Sequence, residues 1–229
     1  MEGKYQSAGD ATGRAEPRPC ETLIIEATYG RPEQVLPPRD RVLRDLQGWM
    51  LAVCANGGGI VGAYTLGKAQ EVVAAANAAE LRPMVSDEVG EVCDIYVQHN
   101  VPLEYDRFDA LTPEQRSAPG LLVTSSTATS GRRPDAVVLE LRQRGFQTAR
   151  VSGWCAFAPW ALRGVDAGFP MSDHADFNGL IDFVRACAPQ QVYTVHGAQR
   201  ELAHEIQKRL DIPARSLPER GETTLEEFT

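Results

Sequence analysis

The feature that most constrains this chain is its alternation of short apolar runs with segments of helical period. "LIIEATYG" reads as a buried strand closed by a carboxylate and a Gly turn. Val42, Leu43, Leu46, Trp49, Met50 and Val53 then recur at helical spacing. "GGGIVGAYTL" reads as a strand and "GKAQEVVAAANAAEL" as a helix. "RPMVS", "GLLVTSST", "FQTARVSG" and "QVYTV" give further strands. Helices are expected in "DEVGEVCDIYVQHN", in "RPDAVVLELRQRG" with Gly145 as its stop, over 176–188, and in "AQRELAHEIQKRL". Repeated β–α alternation predicts an α/β fold with a largely parallel sheet. Residues 1–20 show no periodicity and are expected to form a loop or frayed edge.

A parallel sheet concentrates polar function beyond the carboxyl ends of its strands. Glu26 follows the strand "LII", His174 precedes a helix, and His196 follows "VYTV". All three are therefore expected along one sheet edge. Each has a plainer reading. Glu26 can be a solvated strand end, and His196 before Gly197 a turn residue. Asp173 or Asp176 can cap the following helix. Within Ser-Asp-His-Ala-Asp, however, flanking carboxylates can orient the His174 imidazole and raise its pKa. His99 and His204 read as ordinary surface histidines.

"GAYTLGKA" fits the phosphate-loop spacing up to Lys68, but Ala69 stands where magnesium binding needs a hydroxyl. The plain reading is a strand–helix turn with a solvated lysine. An intermediate one has Lys68 and the helix start touching a nucleic-acid phosphate.

Composition narrows the classes. The 229 residues carry a formal net charge of −8, which argues against attachment to nucleic acid by bulk positive charge. A local cationic groove is compatible with it. Five scattered cysteines without a CxxC pair suggest reduced thiols in a cytoplasm. Apolar patches such as "WCAFAPWAL" are too short to span a membrane.

Taken together, Glu26 in "LIIEATYG", His174 in "SDHAD" and His196 in "VYTVHG" resemble motifs A, B and C of the β-CASP branch of the metallo-β-lactamase fold. "GAYTLGKAQEV" is similar to the family's cap segment, and "SGW" at 152–154 fits the same subgroup. The branch includes RNA-processing and mRNA 3′-end processing nucleases and ligase-associated DNA exonucleases. The resemblance runs from about Cys20 to the end.

It implies a partial metallo-β-lactamase (αββα-type) domain built from 1–36 and 166–229, with a Rossmann-like β-CASP cap inserted over 37–165. It implies hydrolysis of phosphodiester bonds, in RNA in preference to single-stranded DNA, with two zinc ions in a complete site. His196 would ligate one zinc. His174 would contact the scissile phosphate and protonate the leaving oxygen, oriented by Glu26. Lys68 and Ser172 would lie against the nucleic acid.

The family's other ligands belong to an H-x-H-x-D-H motif, a further His and a bridging Asp, all ahead of motif A. This sequence has no H-x-H-x-D-H and no histidine before His99. Asp10 is the nearest candidate for the bridging aspartate, and it stands too close to Glu26. A sheet without its partner layer is expected to leave an apolar face open. The expectation is a chain that does not hold zinc or cleave by itself, is completed by a separate N-terminal polypeptide, and could also pair as a homodimer. The alternative is a non-catalytic nucleic-acid-binding or scaffold remnant of the family.

Overall fold

A computed structural model describes residues 15–130 and 134–217. Asp10, and most of the segment expected to be a loop, lie outside the described residues. The chain divides into two compact units.

Of the described residues, the first unit takes those up to Val35 and from His174 onward. Its sheet has the order β1-β8-β9, all parallel: β1 is Thr22–Ala27, β8 Gln191–Gly197 and β9 Ala214–Ser216. Two helices, α6 (Phe177–Cys187) and α7 (Gln199–Leu210), cover one face. The four α6 residues expected on one side, Phe177, Leu180, Ile181 and Val184, are all buried, together with Val192, Leu202 and Ile206. Side chains alternate along a strand, so Ile24 and Glu26 fall on the opposite face, in register with Tyr193 and Val195. Ile24 there is 62% exposed.

The second unit holds six parallel strands in the order β4-β3-β5-β2-β6-β7. These are β2 Gly59–Ala63, β3 Met84–Val85, β4 Asp106–Arg107, β5 Leu121–Ser125, β6 Gln147–Val151 and β7 Ala167–Phe169. Helices α1 (Arg39–Ala55), α2 (Lys68–Ala78), α3 (Asp87–Gln98), α4 (Pro113–Ser117) and α5 (Ala136–Gln143) connect them. The central strands are buried on both sides, as parallel strands between helical layers must be. Val61 and Val123 pack with Leu46, Met50, Val73 and Val89 on one face. Ile60 and Leu122 pack with Val138, Leu141 and Phe146 on the other.

Two findings differ from the sequence reading. The periodicity alone gave one largely parallel sheet, whereas there are two, because strand pairing is a long-range choice that local periodicity does not encode; the two-part organisation came only with the resemblance. And β2 ends at Ala63, not near Leu66: Gly67 has φ +82°, and the chain turns through Tyr64–Leu66 before α2.

Candidate active site

Glu26, His174 and His196 all belong to the first unit. Glu26 and His196 come from the carboxyl ends of adjacent strands, and His174 from the loop before α6. That loop is fixed by Asp176, whose Oδ1 accepts the Gly179 N–H at 2.8 Å as the helix N-cap. Of the two aspartates that could cap this helix, Asp176 does so.

His174 Nδ1 lies 3.4 Å from Glu26 Oε1 and 3.4 Å from Thr28 Oγ1. The Thr28 N–H donates to Glu26 Oε2 at 2.6 Å. Burial pushes the Glu26 carboxyl up. The hydrogen bonds from His174 and from the Thr28 side chain and backbone outweigh it, leaving the group below its ordinary value. The carboxylate is thus ionised and turned to Nδ1. That arrangement holds a proton on Nδ1 and leaves Nε2 as the nitrogen that exchanges protons with a substrate. Buried Tyr29 meets the imidazole edge-on, at 6.2 Å between centroids and 85°. The side chain of His174 is still 51% exposed, so it is oriented yet reachable.

His196 is placed by a backbone irregularity. The β1–β8 register runs Glu26↔Val195 and then Ala27↔Gly197, so His196 is the extra residue of a bulge. Its φ is +57°, unusual for a residue with a Cβ. Gly197 follows at φ +73°, and a Cβ there would stand 2.4 Å from the Ala27 carbonyl oxygen. Only glycine allows the two strand ends to close this tightly, with the Ala198 N–H donating to that same oxygen at 2.8 Å. The bulge leaves the His196 side chain at the exposed strand end.

Lys68 is not solvated. Its ammonium is buried between Glu71 Oε2 at 2.6 Å and Asp173 Oδ1 at 2.7 Å, with Arg39 3.0 Å from the other Glu71 oxygen. The geometry gives it a structural ion pair in the second unit. Ser172 is buried. His99 caps α3 and His204 sits on the outer side of α7, both exposed.

A zinc site needs three or four protein ligands. Among the described residues no cluster of three or more His, Cys, Asp or Glu is arranged to hold a metal. Nor is any helix among them long and apolar enough to cross a membrane.

Thr28 and Tyr29 are site residues that the sequence reading passed over. Their signal was the "ATYG" directly after the strand, where a hydroxyl and a ring follow the carboxylate within three residues.

Comparison with known proteins places this geometry. Residues 168–215, which include the His174 loop and the His196 bulge, match the Zn-dependent metallo-hydrolase RNA specificity domain. The chain is also 33% identical, over 194 residues, to a probable DNA ligase from Opitutus terrae. The match takes in 83% of this chain and 18% of that protein. A crystal structure of a protein of unknown function from Enterococcus faecalis V583 has a similar fold, with a TM-score of 0.55 at 14% identity. It matches 90% of this chain and 52% of that one. Residues 168–215 therefore define a domain of the kind found in Zn-dependent metallo-hydrolases. The domain match and the 33% identity are consistent with a member of the β-CASP/metallo-β-lactamase family.

Proposed function

We propose that this chain is the part of a β-CASP nuclease that carries its proton donor and one of its zinc ligands. The Glu26–His174 pair is the observation that supports this reading most directly. A carboxylate on Nδ1 orients the ring and favours the protonated form that a general acid needs. In this reading Nε2 of His174 delivers its proton to the oxygen leaving phosphorus as the P–O bond breaks. Glu26 keeps the ring aligned and balances its charge. His196 is the zinc ligand, and the remaining ligands come from polypeptide outside these 229 residues. The inserted-cap organisation, with 37–165 set into a metallo-β-lactamase domain, is part of the same proposal. So is a cytoplasmic setting.

RNA is the favoured substrate because the matched domain is described by RNA specificity. A second substrate reading, trimming of DNA ends, is favoured by the relative named as a DNA ligase.

The test compares the isolated chain with its assembly purified from the native source, on labelled single-stranded RNA and DNA. The isolated chain should cleave neither. The assembly should contain a histidine-rich segment and cleave with zinc, and H174A should slow it roughly 10²- to 10⁴-fold. Metal-dependent cleavage by the pure chain would overturn the split-site reading. An assembly without zinc or cleavage would favour a binding remnant.

A further inference from the structure

The second unit contains a cavity of about 550 Å³ that the Glu26–His174 chemistry does not use. Its position follows from topology. Strand β2 has β5 on one side and β6 on the other, and the chain crosses β2 in passing between them. Such a reversal opens a crevice beyond the carboxyl ends of the strands. Tyr64, Ser126 and Ser152, each the residue directly after one of these three strands, line the cavity with Arg150, Trp160 and Arg163.

Arg150 is the unusual member. It is 9% exposed, and among the described residues no carboxylate pairs with it. Its guanidinium donates to the Ala161 carbonyl at 3.0 Å and the Ser126 carbonyl at 3.5 Å. Its Nε is buried without a partner. A buried cation served only by carbonyl dipoles is costly, and an anion in the adjoining space would relieve it. Arg163, exposed on the same cavity, adds a second cation that pairs with no acid among the described residues.

Trp160 supplies the apolar counterpart. It is 53% exposed and lies against Trp154, with ring centroids 6.0 Å apart and planes tilted by 41°. Tyr64, also 53% exposed, is the second ring. The bond from Arg150 to Ala161 ties the turn bearing Trp160 to the cationic side. Two arginines, hydroxyls and two exposed rings are the complement of one nucleotide, and the volume suits a small molecule of that size.

We propose that this cavity binds a nucleotide, its phosphate towards Arg150 and Arg163 and its base against Trp160 and Tyr64. The choice of a nucleotide over other organophosphates rests on the nucleic-acid reading above. The nucleotide is either free or one unit of a single strand.

The experiment uses the 229-residue chain. Binding of AMP is followed by calorimetry, and binding of fluorescein-labelled oligouridylate and oligothymidylate by anisotropy. W160A and R163Q alter exposed side chains, and unchanged thermal melting will show that they fold. R150M is added only if it melts like the wild type. W160A should weaken binding roughly 5- to 100-fold. R163Q should weaken it and lower the slope of log affinity against log salt by about 1. These losses with AMP assign a mononucleotide site. The same losses with oligonucleotide alone assign a strand-binding site. If wild type binds neither probe, or both variants bind as wild type does, the proposal is overturned. Oligonucleotide binding that survives both variants would sink the cavity while leaving the nucleic-acid reading intact.

Discussion

His174 Nδ1 stands 3.4 Å from Glu26 Oε1, in a contact that joins the loop before α6 to the end of β1. The pair has a pH signature. Folding holds the Glu26 carboxyl below its ordinary value of 4.5. The folded state therefore keeps it ionised where the unfolded chain has begun to take up protons. The stabilisation is whole above that ordinary value and drains away as pH falls through the folded value. E26Q should be less stable than wild type near neutrality, with the two converging in acid. Urea midpoints measured across the acid range will check this, and parallel curves would contradict it.

His196 and Gly197 form a bulge whose two residues tolerate opposite changes. Asparagine enters the left-handed region more readily than histidine, so H196N should keep or raise stability, by up to about 1 kcal/mol. On the proposed function, the zinc content of the assembly should fall in the same variant. G197A puts a Cβ 2.4 Å from the Ala27 carbonyl oxygen at φ +73°. It should destabilise by about 1–3 kcal/mol. Denaturant titrations of both variants will decide, and a neutral G197A would mean the strand ends can part.

Lys68 holds two carboxylates in a nearly closed site, with its own side chain 3% exposed. K68M leaves Glu71 and Asp173 without their shared cation and should cost about 3–5 kcal/mol. Chemical denaturation measures the loss. A small effect, accompanied by a large loss of oligonucleotide affinity, would restore Lys68 to the phosphate-contact role.

Asp176 caps α6 two residues after His174. D176A should cost about 1 kcal/mol of stability. On the proposed function it should also slow cleavage by the assembly without changing its zinc content, because the helix start fixes the loop that aims the imidazole. Loss of stability with full activity would show that the loop is held by other contacts.

Much of the fold was legible because its causes are local. Helix α6 follows from Phe177, Leu180, Ile181 and Val184 recurring on one face, and β5 from the apolar run in "GLLVTSST". The strands β4, β7 and β9 were not legible: each spans two or three residues, too few to show a period, and exists only through hydrogen bonds to a distant neighbour. The burial of Lys68 was not legible, and the solvated-lysine reading stayed open, because its partner Asp173 is remote in sequence. Arg150, in an apolar strand, carried a signal in retrospect: a charge amid buried neighbours implies a nearby use.

By itself the sequence determined the longer strands and helices, and the order Glu26, His174, His196 along an α/β chain. Side-chain period and turn residues act within a few positions, so these are written locally. Tertiary structure decided that the strands form two sheets and that His174 meets Glu26. It decided that a bulge turns His196 to the strand end, and that an arginine lies buried beside an open cavity. Those outcomes depend on pairing register and burial between residues far apart in the chain, and local propensity does not encode them.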